Sequence, residues 1–264
     1  MTARKPLQIF FAVEKALFLR ELNTRISIGK AGLFWTFLEP FFQIFMFVSI
    51  RVAIVSSAGG AGSGSNYDMG IFMASGFIAF NMYKSILSGA TGAFSANKAL
   101  FSYKQVKPID TIIGRLLLDV FLTSIIVLIF LAFGFFFQYN IAPENLLMVV
   151  FGYLWLLLFS FSVGLVVAIG NTFFVSVGKF VGILSLPLLI MSAVFFPMVK
   201  LPPAAQEILL YNPLAHFMEM IHAYYIYELD DRFVDYQYML LWTIIPLFIG
   251  MWLYRRLEKR IISE

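Results

Sequence analysis

The sequence predicts an all-α integral membrane protein with six transmembrane helices, an N-terminal amphipathic interface helix and an outer re-entrant helical hairpin between spans five and six. Hydrophobic residues make up 61% of the 264 positions and charged residues only 13%, whereas a soluble domain carries roughly 25% charged residues. The second observation is the placement of charge, since fifteen of the 19 Lys and Arg residues flank apolar segments on what would be one side of a membrane. Together these features predict a chain that is mostly dissolved in lipid.

Six segments are apolar enough to be membrane spans, because a helix needs about 20 mostly apolar residues to cross a bilayer. They cover residues 33–55, 70–89, 112–137, 146–169, 180–196 and 239–254. We therefore expect residues 1–264 to form a single transmembrane domain. It divides into a cytoplasmic interface helix within 1–32, a six-span bundle over 33–254 and a cytoplasmic tail over 255–264.

The orientation follows from the basic residues in the short loops, which are enriched on the cytoplasmic side of membrane proteins. With six spans, fifteen basic residues share one side and only Lys200 and Arg232 lie on the other. The basic side is therefore predicted to be cytoplasmic, with both termini on it.

Residues 201–238 carry the predicted re-entrant hairpin. The apolar part, 208–227, is nearly long enough to span, but it contains Asn212-Pro213 and three ionisable residues that are costly in lipid. A further span here would also move the basic tail to the outer side, against the charge asymmetry. We therefore expect two half-helices entering from outside, broken at Pro202-Pro203 and at Asn212-Pro213.

The N-terminal segment predicts a helix over residues 8–25. Glu14, Glu21 and Arg25 fall close to one line along such a helix, with apolar residues around it. A helix lying in the cytoplasmic headgroup layer fits this pattern. The alternative is a helix that simply packs against the rest of the protein.

Several kinds of chemistry are not indicated. The chain has no Cys, so thiolate metal sites are excluded, and His216 and His222 are six residues apart and do not share a helix face. No Gly-x-x-x-x-Gly-Lys-Ser/Thr motif occurs, so the Gly/Ser-rich segment 56–65 is expected to be a linker rather than a phosphate loop. We expect no enzymatic activity, no cofactor or metal on this chain, and no nucleic-acid partner.

Three charged residues are predicted to lie at membrane depth: Glu39, Lys84 and Asp119. Ionisable residues in such positions face a bundle interior or water and pair there. They indicate either a cytoplasmic gate or a structural ion pair near the interface, and the sequence leaves both open.

Three motifs resemble a known family. FLREL at 18–22, Arg25, Gly32, Trp35 and Leu38-Glu39-Pro40 resemble the opening of type-2 ABC exporter permeases. LFSYKQVKPIDTI at 100–112 and NPLAH at 212–216 resemble one branch of that superfamily, the capsular polysaccharide export permeases. The resemblance extends over essentially the whole chain.

The resemblance implies a Gram-negative inner-membrane permease that exports lipid-linked capsular polysaccharide to the periplasm. It implies a homodimer bound to two copies of a separate ABC ATPase, which would hold ATP and Mg. It further implies a periplasmic polysaccharide co-polymerase or adaptor and an outer-membrane export channel. An O-antigen or teichoic-acid exporter permease and, in a different class, an ion-coupled secondary transporter remain alternatives.

The resemblance and the charge pattern together assign three groups of candidate residues. The predicted ATPase-coupling residues lie in the loop between spans two and three: Lys104, Lys107, Pro108 and Asp110. The predicted substrate-uptake residues, where Arg would meet an anionic lipid terminus, are Arg20, Arg25 and Glu39. The predicted periplasmic gate, whose aromatic rings would contact sugar, comprises Phe195, Phe196, Tyr211, Asn212, Pro213 and Phe217.

The topology is testable with single Cys reporters, because the chain is free of Cys. Reporters at Ser63 and Asp231 should react with an impermeant thiol reagent added outside. Reporters at Ser102 and Ser263 should react only after the cytoplasmic side is opened. Outside labelling at Ser263 would require an odd number of spans and would contradict the re-entrant hairpin.

Overall fold

The computed structural model describes residues 6–27, 38–39, 41–46, 49–50, 53, 69–136, 138 and 141–263, and within them every regular element is helical. The linker predicted at 56–65 and much of the predicted first span lie outside the described residues, as do Gly32, Trp35 and Pro40. We number the longer helices in chain order. They are α1 (Pro6–Ser27), α2 (Met69–Thr91), α3 (Pro108–Phe136), α4 (Leu146–Phe173), α5 (Ser176–Ile190), α6 (Pro203–Leu210), α7 (Pro213–Tyr225) and α8 (Tyr236–Ser263), with 3-10 helices at Ser95–Ser102 and Met198–Lys200.

Four of these helices are long and apolar enough to cross a membrane: α2, α3, α4 and α8, with 23 to 29 residues each. They confirm helices at the spans predicted over 70–89, 112–137, 146–169 and 239–254. Helix α8 continues beyond its predicted end into the basic tail, where Lys, Arg and Glu side chains keep good helix propensity.

The fifth predicted span is wrong at its end. We expected residues 180–196 to be helical, but α5 ends at Ile190 and the chain then forms turns through residue 196. Pro187 lies inside α5 and cannot donate a backbone hydrogen bond, and Ala193 adopts a positive φ of 56°. The 15 residues of α5 extend for about 22 Å, less than the roughly 30 Å hydrocarbon thickness.

Side-chain contacts give the relative directions of the membrane helices. Tyr153, near the start of α4, donates to the carbonyl of Ser75, near the start of α2. At the other ends, a Cβ on Gly164 would lie 3.4 Å from the Cβ of Ala90. Helices α2 and α4 therefore run in the same direction.

Helix α8 also runs parallel to α4. Trp155 donates to Thr243 at 3.1 Å, and ten residues further along α4 Leu165 packs directly on Gly250. Helix α3 runs opposite to α2, because Ser85 contacts Asp119 while Gly89, further along α2, contacts Arg115. These directions agree with the alternation that a six-span topology requires.

The largest hydrophobic core lies between α2, α4 and α7. Phe217 of α7 is fully buried and stacks on Phe159 with ring centroids 4.9 Å apart, and Phe159 in turn lies parallel to Tyr83. Ile221 packs on Gly152 of α4. Because Phe217 meets Phe159 and Ile221 meets the earlier Gly152, α7 runs antiparallel to α4.

The first turn of α7 meets the end of α5. Asn212 accepts a hydrogen bond from the backbone of Leu214, capping α7, and donates to the carbonyl of Met191 and to Ser192. Asn-Pro at this position is a favourable helix start, because Asn caps the free N–H groups and Pro lacks one. The end of α5 and the beginning of α7 are thereby joined.

Helix α1 packs along the first turns of α3. Glu14 and Leu17 are buried beside Gly114, Glu21 pairs with an α3 arginine, and Arg25 pairs with Asp119. The predicted line of Glu14, Glu21 and Arg25 is real, and it faces protein. Other apolar residues of α1 remain exposed: Leu7, Phe10, Phe11, Leu19 and Ile26.

Glu14 makes the docking of α1 sensitive to pH. Burial raises the pKa of its carboxyl to about 7, and the nearby Asp110 adds to the rise. A carboxyl whose pKa is raised on docking binds its proton more tightly in the docked state. This contribution to docking is complete below the ordinary pKa near 4.5 and is lost as the pH rises through about 7.

Spin labels on Cys introduced at the exposed Leu19 and Leu117 would measure the distance between α1 and α3. We expect the docked population to fall between pH ~5 and pH ~8. Glu14→Gln should hold the docked population constant over this range. Glu207→Gln, which removes an exposed carboxyl on α6, is the matched control and should keep the wild-type dependence. An identical dependence in Glu14→Gln would assign it to another group.

Candidate functional site

Asp119 is the most deeply buried charged residue of the candidate uptake region. Its side chain is 2% exposed, and its Oδ1 accepts from Arg25 of α1 and from Ser85 of α2, both at 2.8 Å. Removing one partner of a buried pair typically costs about 3–5 kcal/mol, since the other charge is left uncompensated. Asp119 thus joins three helices.

A second set of contacts surrounds this pair. Arg115 of α3 lies 3.0 Å from Glu21 of α1 and donates to the carbonyl of Gly89. Arg20 donates to the side chain of Asn97 and to the carbonyl of Ala96. Both arginines predicted for substrate uptake, Arg20 and Arg25, are therefore engaged within the chain.

Glu39, the third predicted uptake residue, lies near Lys84 of α2. The two charged groups are 3.8 Å apart, and their side chains are 60% and 40% exposed. An exposed pair of this kind contributes only about 0–1 kcal/mol. The pair is therefore loosely held compared with Arg25 and Asp119.

These residues share one cleft of about 410 Å³. It lies between α2, α3, the end of α1 and Glu39. Its charged and hydrogen-bonding residues include Arg25, Glu39, Asn81, Lys84, Ser85 and Asp119. The structure thus brings Arg25 and Glu39 together and places Arg20 outside this cleft, in an apolar groove beside the 3-10 helix Ser95–Ser102.

The predicted coupling residues follow that 3-10 helix. Lys104 and Lys107 are exposed, whereas Pro108 and Asp110 are buried. The Asp110 carboxylate accepts from the backbone N–H of Lys107, which satisfies a free donor at the start of α3. Asp110 therefore shapes the loop, and the two lysines present charge at its surface.

The predicted gate residues separate into two environments. Tyr211 is 81% exposed, while Phe217 is buried in the core. Phe195 packs edge-to-face on Phe77. Asn212 and Pro213 form the start of α7. The sequence did not reveal that Phe217 faces inward, because the orientation of this short helix depends on which surfaces of the other helices it meets.

The loop between α7 and α8 contains an organised group that the sequence did not reveal. Tyr236 and Tyr224 donate to the same carboxylate oxygen of Asp231, at 2.8 and 3.0 Å. These hydrogen bonds hold the pKa of Asp231 below its ordinary value. In the part of the chain that the structure describes, no group of three or more His, Cys, Asp or Glu side chains is arranged to hold a metal ion.

Comparison with known proteins identifies the family to which this helical architecture belongs. Residues 13–226 match the family described as ABC-2 type transporter. The chain is 30% identical to the polysialic acid transport protein KpsM of Escherichia coli, over 99% of this chain and 100% of that protein. It is 31% identical to the capsule polysaccharide export inner-membrane protein BexB of Haemophilus influenzae, over 98% of this chain and 96% of that protein.

A third relative is the capsule polysaccharide export inner-membrane protein CtrC of Neisseria meningitidis serogroup B, at 25% identity over 92% of this chain and 90% of that protein. The family match covers most of the chain, and two relatives reach 30% identity over nearly their full lengths. This chain belongs to the ABC-2 type transporter family.

Proposed function

We propose that this chain is the membrane permease subunit of an ATP-driven exporter that moves lipid-linked capsular polysaccharide from the cytoplasm to the periplasm. One observation carries the proposal. The relatives named for polysialic acid transport and capsule polysaccharide export align with this chain from end to end. The four long apolar helices fit a multi-pass inner-membrane protein.

The proposed assembly is a homodimer with two copies of an ABC ATPase. The chain has no Gly-x-x-x-x-Gly-Lys-Ser/Thr motif, so ATP and Mg would be bound by the partner and no cofactor by this chain. A periplasmic co-polymerase or adaptor and an outer-membrane channel would receive the polymer. The ABC-2 family match supports the ATPase partner.

The proposed topology keeps six spans. Residues 1–32 would form the interface segment, residues 33–254 the membrane bundle and residues 255–264 the cytoplasmic tail. The parallel directions of α2, α4 and α8 support it, because each would run from the outer to the cytoplasmic side. Helices α6 and α7 would form the outer re-entrant hairpin. Phe217 contacts Phe159, which lies thirteen residues, or about 20 Å, from the beginning of α4. This contact supports a position of α7 well inside the helix bundle.

The proposed substrate path runs from the cleft at Arg25 and Glu39 to an outer gate. A sugar polymer has polar edges and apolar ring faces, so exposed aromatic side chains suit sliding contact. Tyr211 is the gate residue best placed for this role, since it lies on the surface next to Asn212. Phe196 is half-buried nearby in the chain, and Phe217 would support the gate from within the core.

The proposed function and the coupling loop are tested together in the source bacterium. Deleting the chain should abolish surface polysaccharide while polymer accumulates inside. The wild-type chain should restore export and should co-purify with an ABC ATPase. Lys104→Glu/Lys107→Glu should lower co-purification and export several-fold, because opposite charge on a docking surface slows association.

The matched control is Lys179→Glu/Lys259→Glu, which reverses two exposed charges on the same predicted side. This variant should assemble and export normally. Equal losses in the two variants would mean that the lysines act only through membrane topology. Surface polysaccharide that persists without the chain would contradict the exporter function itself.

A photoreactive residue at Tyr211 tests the outer gate. It should capture polymer during export, because the side chain is 81% exposed beside the re-entrant helices. The same residue at Trp242 in α8, which is 42% exposed, should capture mainly lipid. Capture of lipid alone at position 211, in a complex that is exporting, would remove Tyr211 from the path.

A further inference from the structure

The cleft beside Lys84 changes character with depth. Helix α2 runs toward the predicted cytoplasmic side and α3 runs away from it, so Ser88 and Asp119 lie at the shallow end of the cleft. Ile78 of α2 and Ile126 of α3 lie at the deep end. The lining is therefore charged near the cytoplasm and, apart from Asn81 and Thr123, apolar further into the membrane, which matches the two parts of a lipid molecule.

The two cations of the cleft differ in how firmly they are held. Arg25 is bound to Asp119 at 2.8 Å, and the Asp119 side chain is 2% exposed. Lys84 is 3.8 Å from Glu39, beyond ordinary hydrogen-bond length, and the two side chains are 40% and 60% exposed. Lys84 is therefore the cation that an incoming anion reaches at the lower cost.

Glu39 has another partner within the same cleft wall. Gln43, one helical turn later, donates to a carboxylate oxygen of Glu39 and accepts from Asn81 of α2. When an anion displaces Glu39 from Lys84, the carboxylate keeps the hydrogen bond from Gln43. The exchange therefore leaves no group without a partner.

We propose that this cleft binds the phosphate headgroup of an anionic membrane lipid, with Lys84 as the residue that selects the negative charge. The lipid chains would lie along the apolar deep end formed by Ile78, Met82, Leu122 and Ile126. Identifying this lipid with the anchor of the exported polymer rests on the proposed function. The assignment moves the anion contact from Arg20 and Arg25, which hold the protein together, to Lys84.

The test uses the purified complex of the permease with its ATPase and two acyl-labelled fluorescent probes, phosphatidylglycerol and phosphatidylcholine. Wild-type complex should bind the phosphatidylglycerol probe more tightly. Lys84→Ala should weaken phosphatidylglycerol binding roughly tenfold, the effect of one charge-assisted hydrogen bond, and should leave phosphatidylcholine binding unchanged. Lys84→Arg should retain the preference.

Glu39→Gln provides a change of opposite sign. Removing the competing carboxylate should strengthen phosphatidylglycerol binding several-fold, and this variant tests the proposal even if Lys84→Ala does not assemble. Lys179→Ala, which removes an exposed cation on the same predicted side, should behave as wild type. Equal losses in Lys84→Ala and Lys179→Ala, or no gain in Glu39→Gln, would overturn the site.

An excess of inorganic phosphate separates a lipid site from a simple anion site. Phosphate should compete poorly, because it leaves the apolar end of the cleft unfilled. Full displacement of the probe by inorganic phosphate would overturn the lipid assignment. Export of polymer is measured separately on the wild-type complex, so Lys84-dependent binding without export would contradict the proposed function and leave the lipid site standing.

Discussion

A charged side chain buried among membrane helices needs partners from the protein, because lipid supplies none. Asp119 meets this constraint with Arg25 of α1 and Ser85 of α2. The three groups come from three separate helices, so this carboxylate, together with the buried Leu17 and the pair of Glu21 with Arg115, holds α1 against the membrane helices. The same contacts hold together the walls of the adjacent cleft, which lies between α2, α3 and the end of α1.

The buried helix α7 depends on packing rather than on its own length. A 13-residue helix is marginal in isolation. It is stabilised by the Asn212 cap and by burial of Phe217, Met218 and Ile221 against α2 and α4. Fully burying one such side chain contributes about 1.5–3 kcal/mol. Helix α7 is therefore as much a part of the core as the long helices, although its 13 residues are too few to cross a membrane.

The sequence predicted the long helices well, because uninterrupted apolar length is a local property. It also located the line of Glu14, Glu21 and Arg25, which depends only on helical periodicity. It did not reveal that this line faces α3, that Phe217 is buried or that Asp110 caps a helix, since each depends on which surfaces meet. The end of α5 was missed for a related reason: residues 191–196 are apolar enough for a span, but the turns that they form are fixed by contacts such as Asn212 with Met191.

Helix α1 contacts both of the regions predicted to be functional on the cytoplasmic side. Arg20 is bonded to Asn97 and Ala96 in the 3-10 helix that precedes the coupling loop. Arg25, five residues later, is bonded to Asp119 in the wall of the cleft. Five helical residues span about 7.5 Å along the helix axis. Helix α1 therefore links the 3-10 helix before this loop to the wall of the cleft through side-chain contacts five residues apart.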